Sequence, residues 1–267
     1  MIKYMGTKMI GKGFQMKIFA KIAGIALAMI MCLGFVACSS YVEPTGKAYY
    51  DYKSSKTNYG KNIFMKYVER EIDSMKAEDF VASEQQSDYV LIRVKDYGDI
   101  VVLLRHDVAP KTVENFKKLT AEGFYDGTIF HRVIENFMIQ GGGNIVNPDY
   151  DPTNSNSTTY IAKTSDSIKG EFTSNGHENN LKHVRGVISM ARVGGQNDSA
   201  SSQFFIVHQY SASSQSLNGD YAAFGYVLAG MDVVDAIATC AVFAAGSESP
   251  LPVTTIVIES VTFVEPK

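Results

Sequence analysis

Residues 130–143 read Phe-His-Arg-Val-Ile-Glu-Asn-Phe-Met-Ile-Gln-Gly-Gly-Gly. One permanent cation, Arg132, stands a few residues ahead of two bulky apolar side chains, Phe137 and Met138, with the amide of Gln140 just beyond. Those ingredients suit a site that grips an apolar group and aims a fixed hydrogen-bond donor at an atom beside it. Arginine fits the second task because it never deprotonates and its planar fork can be held rigidly. Strand alternation would put Phe130 and Arg132 on one face. Glu135-Asn136 reads as a turn, after which Met138 and Gln140 share a face and Phe137 points the other way.

Two further segments carry similar chemistry. Gly186 to Arg192 (Gly-Val-Ile-Ser-Met-Ala-Arg) is followed by Ser201-Ser202-Gln203-Phe204-Phe205-Ile206. In the latter, Gln203 and Phe205 share a face, offering another amide and another aromatic wall, while Phe204 goes to the core. Downstream lies Leu217-Asn218-Gly219-Asp220-Tyr221-Ala222-Ala223-Phe224-Gly225.

In this order the three segments resemble the cyclophilin-type peptidyl-prolyl isomerases, over roughly Asp88 to Lys267. The resemblance implies a mainly β fold, a closed eight-stranded antiparallel barrel capped by two helices. It implies cis-trans isomerisation of proline-containing polypeptides without a cofactor. Carried over position by position, it makes Arg132 the catalytic cation and lines a proline pocket with Phe137, Met138, Phe205 and Leu217. Gln140 supports the arginine, and Gln203 faces the substrate backbone. Ala191 and Arg192 flank the residue preceding proline, and Tyr221 stands where many members have histidine. The chain departs from the pattern at Ser216, where the best-known members carry tryptophan, at Arg192 for a common asparagine, and at Gly143 for a common aspartate. The family's glycine- and threonine-rich loop is replaced by residues 144–167.

The elements that must position these residues are legible from pattern. Tyr89 to Val94 and Ile100 to Leu104 make a hairpin about an Asp96-Tyr97-Gly98-Asp99 turn. Pro110 suits a first helical position because its missing N–H costs nothing there. Val113, Phe116 and Leu119 give that helix a buried stripe, and Gly123 ends it. Further strands are predicted near 129–134, 137–141, 187–191, 203–208, 221–228 and 253–264, with a second short helix over Met231–Ala238. Asn144 to Ser167, rich in Asn, Ser and Thr, reads as a surface loop. Residues 62–80 predict an amphipathic helix in which Met65, Val68, Ile72 and Met75 recur at helical spacing. Its stripe either packs on the domain's own surface or docks to a partner.

The N-terminal end reads as an export signal. Five lysines between Lys3 and Lys21, with no acid, precede an apolar stretch from Ile22 to Ala37. The stretch is too short for a transmembrane helix and fits a secretory signal. Phe35-Val36-Ala37-Cys38 looks like a bacterial lipobox, which would make Cys38 the lipidated mature N-terminus; an ordinary signal cleaved nearby is the alternative. The expected organisation is therefore a signal over 1–37, a tether over 38–61, a helical extension over 62–86 and the isomerase-like domain over 87–267. The expected location is the outside of a bacterial membrane, held by a lipid anchor. Loss of the five leader lysines leaves 20 basic against 28 acidic residues, a net charge of −8. An acidic body argues against nucleic-acid binding and against a polybasic grip on anionic lipid. Cys240 is the one cysteine left in the body beyond Cys38, so no internal disulfide forms if Cys38 is acylated.

Other chemistries fit poorly. His131 reads as a satisfied structural histidine, and the remaining four histidines lack metal-ligand spacing. Gly141-Gly142-Gly143 lacks the Lys-Ser/Thr of a phosphate loop. Ser199, Ser201 and Ser202 have no nucleophile-elbow context. The expectation is a monomeric isomerase assisting the folding of exported chains. The rival is a non-catalytic module of the same fold that captures proline-bearing segments, and Arg132 is what separates the two.

Overall fold

Alternating buried and exposed residues along Tyr89–Val94 (β2) turn Val90, Ile92 and Val94 inward. The strand returns as Gly98–Leu104 (β3) through a turn in which Asp96 and Gly98 take positive φ angles of 64° and 126°. The computed structural model describes residues 66–149, 159–243, 246 and 248–267. The expected signal, Cys38 and the tether lie outside the described residues.

The remaining strands are Phe80–Ala82 (β1), Thr128–Ile134 (β4), Met138–Val146 (β5), Tyr160–Ala162 (β6), Val187–Met190 (β7), Phe204–Val207 (β8), Ala223–Ala229 (β9), Val242–Phe243 (β10), Leu251–Pro252 (β11) and Ile256–Pro266 (β12). Eight of them close on themselves in the order β12-β2-β3-β9-β7-β8-β5-β4, all antiparallel. Ile256 opposite Phe130 and Val257 opposite Ile129 complete the ring. This is the expected mainly β architecture.

Two helices close the ring. Pro110–Ala121 (α1) begins on its proline and sends Val113, Phe116 and Leu119 into the core. There Phe116 meets Tyr125, Phe204 and Phe224 at ring-centroid distances of 4.8, 5.7 and 5.3 Å. Offset and edge-on aromatic pairs of this kind contribute beyond their buried area. The first turn of α1 is held from afar. The buried Glu171 carboxylate accepts from the backbone N–H groups of Lys111 (3.1 Å) and Thr112 (2.8 Å), where the helix dipole favours a negative charge. Met231–Ala238 (α3) packs Val234 and Ile237 inward. A third, four-residue helix, Ala212–Gln215 (α2), is started by Ser211, whose side chain accepts from the Ser214 N–H.

Three expectations are corrected. The helix predicted over 62–80, and the helical extension to 86, stop short: among the described residues the chain is α-helical over 66–71, with a single 3-10 turn over Ala77–Asp79. A turn follows, with Asp73 at φ 54°, and residues 80–82 then extend as β1 along β12. The reason is tertiary. The Asp73 and Met75 N–H groups donate to Val227 and Leu228 carbonyls on β9, which a continued helix could not do. Tyr67 and Val68 are buried, so the stripe packs on the domain itself, and Asp73 Oδ1 accepts from the first N–H of α3 at 3.1 Å. The loop predicted over 144–167 is in part a hairpin, because Asn144–Val146 in β5 pairs with β6. Phe130 and Arg132 do not share a face, for the reason given next.

Candidate active site

The β4–β5 pairing slips at His131. Phe130 lies opposite Gly141, yet Arg132 lies opposite Gln140, so two β4 residues span one step of β5. Such a bulge re-aims the side chain beside it. Gln140 and Gly141 are consecutive and face opposite ways, and their partners therefore do too. Phe130 enters the ring interior, 6.1 Å from Phe204, while Arg132 reaches the outer face with Gln140.

There the guanidinium is fixed on two sides. Arg132 Nη1 donates to Gln140 Oε1 at 3.1 Å and lies 3.7 Å from Met138 Sδ, while Nε donates to the Glu248 carbonyl at 2.6 Å. Gln140 is oriented in turn, its Nε2 donating to Gln203 Oε1 at 2.9 Å. Nη2 donates to no described residue. Partial burial lowers the pKa of Arg132 from its ordinary value, opposed by Tyr221 and Glu248. It remains a cation at any physiological pH.

Beside the arginine, Met138, Phe205, Val207 and Leu217 form a small apolar cluster separate from the main core, with Phe137, Ala191 and Tyr221 against it. Phe205 meets Tyr221 edge-on at 5.9 Å. Phe137 joins this wall, contrary to simple alternation, because it is the last residue of the turn, its N–H donating to Ile134 O, and precedes the pleat of β5. The turn is braced by charge. Arg185 donates to both carboxylate oxygens of Asp235 (2.6 and 2.8 Å), which lies 3.2 Å from His208 Nε2. His208 Nδ1 accepts the Asn136 N–H at 3.0 Å, and its own backbone N–H donates to Phe137 O.

The result is a cavity of about 160 Å³ lined by Arg132, Phe137, Met138, Gln140, Ala191, Arg192, Phe205, Leu217 and Tyr221. A cavity near 150 Å³ accepts benzene, so a five-membered ring fits this one. Nine of the ten residues singled out from the sequence line it. Gln203, the tenth, stands behind Gln140. Ser216 is exposed and outside the lining.

Sequence reading missed several supports. One is Glu248, which acts through its backbone carbonyl from the segment between β10 and β11. Another is His183, which stacks on Phe205 at 5.9 Å and is held by Asn218 and Ser189. Asn218 belongs to the third sequence segment, and its place there was the available hint. His131 is satisfied in part: its ring engages the Ile129 backbone and the Gln203 side chain, while the geometry leaves its buried Nδ1 without a well-aligned partner among the described residues. Burial, reinforced by the neighbouring Arg132 charge, lowers its pKa.

The triple glycine has a steric basis. A Cβ on Gly141 would lie 2.9 Å from Ile129 O, and one on Gly143 only 2.2 Å from Gln203 Cγ. Gly143→Ala should therefore push Gln203 off Gln140 and loosen Arg132. Turnover should fall about tenfold, the scale of losing one neutral hydrogen bond that orients a catalytic group. Steady-state kinetics with a thermal melt will check this. Unchanged kcat/KM would show that Gln203 does not hold the arginine.

Comparison with known proteins agrees with this geometry. The family model described as "Cyclophilin type peptidyl-prolyl cis-trans isomerase/CLD" matches residues 89–263. Peptidyl-prolyl cis-trans isomerase B of Escherichia coli (strain K12) is 41% identical over 175 residues, covering 64% of this chain and 96% of that protein. Peptidyl-prolyl cis-trans isomerase cyp18 of Streptomyces antibioticus is 40% identical over 168 residues, covering 61% and 91%. Among solved structures, a Cryptosporidium parvum cyclophilin type peptidyl-prolyl cis-trans isomerase is 31% identical with a TM-score of 0.50, covering 67% of this chain and 98% of that one.

Proposed function

The chain belongs to the cyclophilin-type peptidyl-prolyl cis-trans isomerase family and is an isomerase of that class, and from that premise we propose that Arg132 catalyses rotation about X–Pro bonds of exported polypeptides at a membrane surface. The observation that carries the mechanism is the Arg132 guanidinium, fixed by Gln140 and Glu248, beside the apolar wall of a cavity the size of a proline ring.

Rotation about an X–Pro bond is slow because amide resonance imposes a barrier of about 18–20 kcal/mol. No bond to the substrate need form or break. In the planar ground state the prolyl nitrogen lone pair is delocalised and accepts poorly. As the bond twists, the nitrogen pyramidalises and becomes an acceptor. A fixed donor beside it is then engaged mainly in the transition state, which is the condition for raising kcat. Phe137, Met138, Phe205 and Leu217 hold the ring, Arg132 Nη2 supplies the donor, and Gln203 keeps Gln140 in place behind the arginine. A protease-coupled assay with a proline peptide tests this. A protein that binds the peptide without accelerating its isomerisation would instead be the capture module.

The cellular setting rests on the leader and on Cys38. Among the described residues no helix is long and apolar enough to cross a membrane. The net charge of −8 left after the leader disfavours adsorption to anionic lipid. Attachment then falls to acyl chains on Cys38, and more than one is needed because a single chain holds only marginally. Cys38→Ser should move the protein from the membrane to the soluble fraction while the purified domain keeps its activity. A processed Cys38→Ser protein that still sediments with membranes would overturn the lipid anchor.

A further inference from the structure

The cavity that takes the proline ring carries two arginines and no carboxylate, on a protein whose body is acidic. Arg132 is committed to Gln140 and Glu248. Arg192 is engaged differently. Its Nε donates to the Asp220 carbonyl at 2.9 Å and its Nη1 to the Val193 carbonyl at 3.3 Å, both backbone acceptors without formal charge. Its guanidinium carbon lies 4.7 Å from the Tyr221 ring centroid and 5.2 Å from that of Phe172. Stacking on aromatic faces and bonding to carbonyls fix the group without neutralising it. Nη2 donates to no described residue.

Neighbouring acids do not cancel the charge. Asp220 contributes its backbone carbonyl, and its carboxylate forms no ion pair with Arg192 among the described residues. The Asp198 carboxylate, which accepts the Gly170 N–H at 3.0 Å and Asn175 Nδ2 at 2.7 Å, likewise forms no ion pair with Arg192 among the described residues. The rim thus presents a preoriented cation with open donor capacity beside the seat of the ring. Consecutive Cα atoms are about 3.8 Å apart, so a side chain next to the proline reaches a rim of this size.

We propose that Arg192 is a specificity-determining residue that selects polypeptides with an acidic side chain flanking the proline. This rests on the isomerase reading above and names its substrate class. The pairing takes place at a half-exposed site, so its strength is that of a surface ion pair: preference rather than exclusion.

The test uses peptides identical except at the residue preceding proline, which is Glu, Gln or Lys, and a fourth with Glu following it. Values of kcat/KM are measured for the wild type, Arg192→Gln and Arg192→Lys, at low and high salt. For the wild type the better Glu peptide should exceed the Gln peptide about fivefold at low salt, and Lys should fall below Gln. Near 1 M salt the Debye length is about 3 Å, and the ratio should approach one. Arg192→Gln should abolish the Glu/Gln ratio, and Arg192→Lys should retain part of it. Because the ratio compares two peptides on one protein, a general loss of packing around Tyr221 does not move it. Equal turnover of all four peptides by the wild type overturns this inference and leaves the isomerase reading standing. A preference that persists in Arg192→Gln also overturns it and points to Arg132. Turnover of none defeats the isomerase reading itself.

Discussion

Replacing Arg132 with alanine is expected to lower kcat/KM on a proline peptide by about a hundredfold or more, the usual cost of one transition-state donor. The loss should fall mainly on kcat, because the apolar wall that grips the ring does not depend on the guanidinium. Folding should be little affected. Arg132 is half-buried at the edge of an open cavity, and the two acceptors it leaves, Gln140 Oε1 and the Glu248 carbonyl, can turn to water there. Lysine is a sharper probe. It restores the charge, but its compact ammonium lacks the planar fork that Gln140 and Glu248 hold in one orientation, so Arg132→Lys should recover only a small part of the activity. Line-shape or exchange measurements on a peptide populating both isomers, with a thermal melt for each variant, separate the two effects. An Arg132→Ala protein that stays folded and turns over at the wild-type rate would overturn the assigned chemistry.

What the sequence makes legible, and what it hides, follows from the range of the interactions. Pro110 at a helix start, Gly123 past its end and the alternation of Val90, Ile92 and Val94 are local signals and lie where pattern puts them. The bulge at His131 is not local. Two registers are available to a strand of this composition, and the one adopted puts Phe130 into the aromatic core and Arg132 outside, which period alone assigns to one face. The end of the N-terminal helix is decided by β9 backbone groups more than 150 residues away in sequence, which accept from Asp73 and Met75.

The site divides in the same way. Side chains whose type is the chemistry, Arg132, Met138, Gln140 and Phe205, are readable because a motif fixes type and order. Their supports are not. Glu248 lies 116 residues from Arg132 and acts through its carbonyl, which any residue possesses, so its identity carries no trace of the role. Glu171 capping α1 from 59 residues away is similar. The motif records the groups facing substrate, whereas long-range geometry that holds them is recorded only in the fold.

His183 joins the two levels and makes the second large expected effect one of pH. It is buried at 1% exposure against the pocket wall, stacked on Phe205. Asn218 Oδ1 accepts from both its backbone N–H (2.8 Å) and its Nδ1 (3.1 Å), and Ser189 Oγ lies 2.9 Å from Nε2. That arrangement assigns the neutral ring, with the proton on Nδ1 and the serine hydroxyl donating to Nε2. Burial pushes its pKa from 6.5 down to about 4, with Asn218 opposing and Lys182 assisting. In the unfolded chain the ring takes a proton near pH 6.5, whereas in the folded protein it resists until about pH 4. Its contribution to stability is therefore complete above pH 6.5, declines as the pH falls, and is gone below about pH 4, a loss of about 3 kcal/mol. His131 and His208, also held below their ordinary values, add in the same direction, so the measurement must be differential. Denaturant unfolding of the wild type and His183→Gln at pH 7 and pH 4.5 should show the variant losing less stability over that interval, whatever its stability at pH 7. Imidazole chemical shifts should show His183 still neutral at pH 5. Because a proton on Nε2 would force the Ser189 hydroxyl to turn from donor to acceptor behind Phe205, turnover of the folded protein should decline as pH approaches 4. A His183 that titrates near 6.5, or a variant with the wild-type pH slope, would mean that the ring does not hold the pocket wall in its neutral form.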